Sequence, residues 1–356
     1  MPPIPVNRRD ENLQILRFVA AALVLVTHVT FYIGERVQPG FAVWNGGEAG
    51  VPIFFLISGF VMFLSGSRLS RDGDGAAEFM RRRVARVFPM YWLMTSLKVA
   101  IALLVPATVL HNHPDALSIA GSYVLFPMLN GEGEVRPLHG VGWTLLHEMF
   151  FYYVFALGLW LRRSPFAFSS AALGLIWALG FVLPHDSALA RVVFSDLNLL
   201  FVAGMALAAV YQQNRRLPIW LALALLAAAI AMLSVPTLRE LQGVWLGRFN
   251  LGAILLVGSL LSIQVTALPA LRALLVKLGD SSYSLYMIHP ILAPALCVVL
   301  AKAHLPSPYL VLAITVVACV AIAHFVYRLV ERPLNRAAAR LFELGPLAVL
   351  RSGGAG

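Results

Sequence analysis

A few side chains of this 356-residue chain could do chemistry from places where ionisable groups are rare. Arg17, His28, Lys98, His147, Glu148, His289 and His324 all lie within long apolar runs. An ionisable group buried in such a run is costly, and it is a candidate for function by default. Arg17 and His28 are eleven residues apart. Eleven helical steps rotate by about 1100°, close to three full turns, so the two share a face and stand roughly 16 Å apart along the axis. Glu148 is the one acid well inside an apolar run. If successive runs alternate in direction, His28 and Glu148 fall at similar depth on different helices. Such a pair can be a tuned general base, a proton relay or a buried polar contact that fixes helix packing. The residues alone leave the three open.

The densest charge cluster is EFMRRRVARVFPMYW at 78–92. Arg82 and Arg86 are i,i+4 and Arg83 and Arg86 are i,i+3, so they can share a helix face. Arginine forks match phosphate oxygens bidentately, but the same cluster also suits anchoring to anionic lipid. Ser58 and Gly59 interrupt the bulky run GVPIFFLISGFVMF at 50–63, a pattern that fits close helix packing. Tyr283, Ser284, Tyr286 and His289 open a later run, and Pro290 is expected to break the helix after His289. His289 then lines an inner cavity or sits satisfied in the core. His139 precedes another run and is expected at an outer entrance. His111 and His113 could hold a metal only with a third ligand, and none is evident.

The elements that must position these residues follow from composition. Charged residues make up 12% of the chain and hydrophobic residues 60%, with a mean hydropathy of +0.80. Soluble domains carry about 25% charge, and disordered chains are polar, so both are excluded. The chain reads as an all-α, polytopic transmembrane bundle of about ten helices. They lie near 13–33, 50–66, 87–106, 142–161, 169–184, 196–212, 217–235, 249–267, 283–303 and 308–328, with a short interfacial or re-entrant segment at 116–130. An alternating topology with a cytoplasmic N-terminus puts 19 Lys and Arg inside and 6 outside. Both termini are then cytoplasmic, and the loop 107–141 faces outward. The net charge of +10 sits in short clusters between apolar runs, a pattern that argues against nucleic acid. Cys297 and Cys319 lie in apolar runs and give no disulfide framework.

The chain resembles the membrane-bound acyltransferase family 3, within it the exopolysaccharide-type O-acyltransferases. The blocks that carry the likeness are LQILRFVAAALVLVTHV (13–29), GGEAGVPIFFLISGFVM (46–62), FMRRRVARVFPMYW (79–92), VGWTLLHEMFFYYVFA (141–156), LGDSSYSLYMIHPI (278–291) and VERPL (330–334). They occur in family order over nearly the whole chain. The family's basic residue and histidine of the first helix fall on Arg17 and His28, its Arg-x-x-Arg on Arg83 and Arg86, and its acid on Glu148. His147 departs from the pattern, which has an uncharged residue there.

The resemblance implies a membrane domain over 1–335 and a short cytoplasmic tail over 336–356. It implies transfer of an acyl group, commonly acetyl, from cytosolic acyl-CoA to a hydroxyl of a lipid-linked or polymeric glycan, at the bacterial inner membrane. His28 and Glu148 are then catalytic. Arg17, Arg82, Arg83, Arg86, Ser58 and His289 lie on the donor side, and Trp143 and His139 on the acceptor side. No permanently bound cofactor or metal is expected. Rival readings from the residues are a glycan flippase or proton-coupled transporter, and a non-catalytic membrane scaffold.

Overall fold

The computed structural model describes residues 11–66, 69, 73–105, 115–213, 217–234, 248–263, 268–303, 305 and 307–342. His111 and His113, and the chain from 343 onward, lie outside these residues. Each of the ten apolar runs falls on a helix. Among the described residues there is no strand, and one isolated antiparallel bridge joins Leu129 and Val135. Six helical stretches there are long and apolar enough to cross a bilayer: Glu11–Arg36, Asn45–Gly66, Gly73–Leu104, Ala188–Gln212, Ser282–Lys302 and Pro308–Leu341. Shorter apolar helices cover Pro165–Leu179, Ile219–Leu233 and Phe249–Ser262. By length and composition, then, six of the expected ten crossings stand on their own. Leu175, Trp220, Val317 and Phe325 are exposed. In water they would form unprotected apolar surface, whereas lipid covers them without cost.

The chain divides into two compact units. The first comprises Met1–Leu64 and Leu200–Tyr327. Its central element is α1 (Glu11–Arg36), with an acid in its first turn and a base in its last, as the helix dipole favours. A short 3₁₀ turn (Asn45–Ala49) leads into α2 (Gly50–Gly66). Both approach α1 closely. A Cβ on Gly47 would stand 2.0 Å from the Leu23 carbonyl oxygen, and one on Gly50 2.4 Å from that of Ala20. Further along, α2 meets α8 (Asn198–Gln212) backbone to backbone. A Cβ on Gly59 would fall 2.1 Å from the Phe201 carbonyl oxygen, and one on Gly204 2.1 Å from that of Leu56. The small-residue reading of Gly59 is thus a real contact, of the kind that membrane helices use.

The rest of this unit is α9 (Ile219–Ser234), α10 (Arg248–Ser262), α11 (Pro269–Asp280), α12 (Ser282–Lys302) and α13 (Pro308–Val326). α9 packs on α10, and α1 packs on α11, α12 and α13. α12 runs unbroken through Pro290 and Pro294, contrary to the break expected after His289. A break in an apolar medium would strand several backbone groups without water, whereas continuing through each proline forfeits only the bond of the missing N–H.

The second unit comprises Ser65–Leu199 and Arg328–Gly356. Its longest element is α3 (Gly73–Leu104), 32 residues or about 48 Å. The third span was expected over 87–106 only. The charged segment 78–86 is instead part of the same helix, because Ala, Arg, Met and Glu are all good helix formers. A hydrocarbon core of about 30 Å cannot contain this length upright. The cluster Arg81–Arg86 marks the end that is cheapest to leave in the interface or water.

α3 packs on α5 (Trp143–Trp160), on the short α4 (Ala116–Val124) and on α14 (Arg332–Leu341). α6 (Pro165–Leu179) and α7 (Ala188–Val193) pack on α5. Ser164 caps α6 ahead of Pro165, and Ser187 caps α7. The apolar stretch 116–130 contributes only α4, held to α3 by bonds from Tyr91 Oη to the Ser122 carbonyl (2.8 Å) and from Trp92 Nε1 to that of Tyr123 (2.8 Å). The boundary expected at 335 falls inside α14.

Candidate functional site

In the first unit, α1 carries both Arg17 and His28 on one uninterrupted helix, so their shared face stands. α12 packs on α1 and brings His289 to His28. His28 Nδ1 and His289 Nε2 are 2.8 Å apart, and the rings lie 4.9 Å apart, tilted by 24°. The other nitrogen of His289, Nδ1, is 3.0 Å from the Leu285 carbonyl oxygen one turn earlier. His289 is fully buried, so it does not line an open cavity as the proline break would have allowed. His28 is half-buried. Tyr286 stands beside His289 with ring centroids 5.8 Å apart and against Phe54 at 5.6 Å, which makes one wall of this site aromatic. Ser58 lies on α2, half-buried, one residue before the close approach at Gly59.

In the second unit, α3 and α5 bring a base and an acid together. Tyr152 Oη donates a hydrogen bond to the Glu148 carboxylate one turn earlier on α5. The Arg83 guanidinium stands over the rings of Phe79 and Tyr152, 5.4 and 5.8 Å from their centroids, and reaches Ser65 Oγ at 3.4 Å. Glu148, Tyr152 and Arg86 all act electrostatically on Arg83. A cation over two aromatic faces, with a carboxylate behind the phenol, is held in place without being neutralised by a direct ion pair. Arg82 points elsewhere and pairs with Glu78 on its own helix.

The structure sorts the sequence candidates. It brings His28 to His289, and Glu148 to Tyr152 and the field of Arg83. His28 and Glu148 belong to different units. His147 Nδ1 lies 3.1 Å from Asn198 Oδ1, whose Nδ2 donates to the Val192 and Val193 carbonyls. That fastens α5 to the end of α7, so His147, the departure from the pattern, serves as a structural tie. His139 is fully buried, 6.4 Å from the Tyr91 ring, and does not line an open entrance. Trp143 is half-buried and edge-on to His147 at 5.8 Å. Among the described residues no group of three or more His, Cys, Asp and Glu could hold a metal ion.

Sequence reasoning missed Tyr152, although its i,i+4 spacing from Glu148 was a usable signal. It also missed the His28–His289 contact. These two lie 261 residues apart, and no local spacing reports that.

Comparisons with known proteins bear on the assembly as a whole. An acyltransferase-domain family model matches residues 10–328. The exopolysaccharide production protein ExoZ of Rhizobium meliloti (strain 1021) is 32% identical over 314 residues, which cover 86% of this chain and 94% of that protein. The acyltransferase MdmB of Streptomyces mycarofaciens is 35% identical over 95 residues, 26% of this chain and 23% of that protein. No solved structure matches. The family match makes the protein an enzyme, an acyltransferase with several helices long and apolar enough to cross a membrane, and so favours that reading over the transporter and scaffold ones. With the family model covering nearly all of the described helices and the ExoZ likeness covering 86% of the chain, the chain belongs to the membrane-bound acyltransferase family 3.

Proposed function

We propose that the protein moves an acetyl group from cytosolic acetyl-CoA to a hydroxyl of a cell-surface or exopolysaccharide glycan, with both termini on the cytoplasmic side of the bacterial inner membrane. The observation that carries this reading is His28, an imidazole in mid-helix of a membrane span, held by a second imidazole at 2.8 Å. A histidine so placed serves as general base. His28 takes the acceptor hydroxyl proton as the oxygen attacks the thioester carbonyl carbon. The C–S bond then breaks, and the proton passes to the departing sulfur, giving the ester and free CoA thiol.

Arg83 and Arg86, with Arg82 at the rim, recognise the nucleotide phosphates of the donor through charge-assisted bonds. Glu148 and Tyr152 keep the Arg83 guanidinium in place. Arg17 and Ser58 guide the thioester arm, since an extended arm is of the same order of length as the roughly 16 Å between Arg17 and His28. Trp143 and His139 support the acceptor side from within. The glycan assignment rests on the name of the ExoZ relative, and the orientation on the 19-to-6 division of basic residues.

The test is reconstitution of the purified protein in vesicles with acetyl-labelled acetyl-CoA and an exopolysaccharide acceptor. Label should appear on glycan hydroxyls as an alkali-labile ester, together with free thiol in equal amount. Thiol release without acceptor labelling, or acceptor labelling without a CoA thioester, would overturn the assignment.

A further inference from the structure

The bonds around His289 fix more than its own position. The Leu285 carbonyl oxygen can only accept, so the His289 nitrogen 3.0 Å from it, Nδ1, carries a hydrogen. A neutral imidazole has a single N–H. The His289 Nε2 is therefore an acceptor, and the atom it faces at 2.8 Å, His28 Nδ1, must be the donor. That places the one hydrogen of a neutral His28 on Nδ1 and its lone pair on Nε2. The chain of donors and acceptors thus starts at a backbone carbonyl of α12 and ends at a defined nitrogen on α1.

We propose that His289 is a positioning residue that selects the Nδ1–H tautomer of His28, so that Nε2 is the atom that receives the acceptor's proton. This inference rests on the base role given to His28 above. It differs from the donor-side role that the resemblance implied for His289, because a fully buried ring engaged at both nitrogens has none left for a substrate. The arrangement follows a general rule. The partner of one ring nitrogen decides which form the other takes, as the carboxylate does for the histidine of a Ser-His-Asp triad. Here a neutral ring replaces the carboxylate and brings no formal charge into the bilayer interior, where a second charge is costly. When Nε2 takes up a proton, the His289 lone pair still accepts from Nδ1–H and stabilises the imidazolium.

Ring ¹⁵N NMR of the histidine-labelled full-length protein in lipid nanodiscs tests this directly, because protonated and bare ring nitrogens resonate far apart. The signals of His28 are those lost in His28→Gln. In the parent protein His28 should show a protonated Nδ1 and a bare Nε2. His289→Leu should lose that preference and lower kcat by at least about 10- to 100-fold, the range known for groups that orient metal-bound histidines, with KM for acetyl-CoA unchanged. His289→Gln offers an amide oxygen to Nδ1–H and should restore kcat to within a few-fold of the parent. A parent His28 protonated on Nε2 would overturn the proposal, whatever the His289 variants do. An unchanged His28 tautomer in a folded His289→Leu protein would do the same. Failure of the base reading is distinguishable, since it appears as parental activity in His28→Ala whatever the tautomer proves to be.

Discussion

The two polar sites of this molecule hold their groups in opposite ways. In the first unit, His28 and His289 form a contact between rings that can both be neutral, anchored on a backbone carbonyl. In the second, Arg83 is a permanent cation, kept between aromatic faces and within the field of Glu148. The difference follows from the tasks. A group that must gain and lose a proton works only if its charged and neutral forms are both accessible, so formal charges nearby are kept few. A group that recognises phosphate must stay charged throughout, and a half-buried guanidinium then needs partners that do not consume its donors. The carboxylate expected beside the histidine has its recorded contact with the phenol of Tyr152, on the arginine's side of this division.

The largest effect that tests the contrast is on His28. Replacing it with alanine should lower kcat for acyl transfer by about 10²- to 10⁴-fold, the usual contribution of a general base, while KM for the donor stays near the parent value. Steady-state kinetics on folded, reconstituted protein decides it. A parental kcat would remove the proton-transfer role from the first unit.

The next effect belongs to the arginines. Alanine at both Arg83 and Arg86 should raise the donor KM by about 10- to 100-fold, since a hydrogen bond to a charged group contributes about 1.5–3 kcal/mol. The fall in kcat should be much smaller. Unchanged affinity for acetyl-CoA, measured by titration calorimetry, would return the cluster to lipid anchoring.

Glu148 divides the two sites most sharply. Glu148→Gln keeps the shape and an acceptor for Tyr152 but removes the charge that acts on Arg83. If it serves the arginine, donor KM should rise about tenfold, roughly 1.4 kcal/mol, with kcat little changed. Tyr152→Phe should produce a smaller shift of the same kind, because it deletes one hydrogen bond of about 1 kcal/mol. A variant of Glu148 that loses kcat and leaves KM untouched would place the carboxylate with the histidine after all.

Much of this was legible in the sequence because a bilayer demands contiguous apolarity. Each of the ten runs fell on a helix, and the i,i+3 relation of Arg83 and Arg86 followed from spacing alone. The length of α3 was not legible, since a charged stretch reads like a loop when hydropathy is the signal, although its residues favour helix. The continuity of α12 through Pro290 was missed for a related reason. Proline's cost is set by what would satisfy the backbone instead, and in lipid nothing does. The partner of His28 was out of reach for a different cause. Helical periodicity tells which face a residue occupies but not which distant helix packs there. His289 was named as a candidate for its own sake, and only packing of α12 on α1 made it a partner. Gly59 is the intermediate case: its need for close approach was readable, and the helix it approaches was not.

The smallest expected effect sharpens the contrast from outside the membrane. Asp115 caps α4 by accepting the Ser118 backbone N–H at 2.5 Å, within a full capping box, and is fully exposed. The Ser118 amide and hydroxyl hold its carboxyl below the ordinary value, with exposure leaving little opposing desolvation. A carboxyl lowered on folding stabilises the folded state above its unfolded pKa of about 3.9, and loses that contribution as the pH falls through the folded value. The effect should be local. Asp115→Ala should speed amide exchange across Ala116–Val124 at neutral pH, and the parent should approach that behaviour only in acid. Added salt should reduce the charge-dependent part of this difference, because an exposed charge is screened. The shift in donor KM from Glu148→Gln should resist salt more, since that carboxylate is half-buried beside Tyr152. Equal salt sensitivity at the two carboxylates would mean that the Arg83 site is as open to water as the surface cap, and the distinction between a sheltered charge and a solvated one would fall with it.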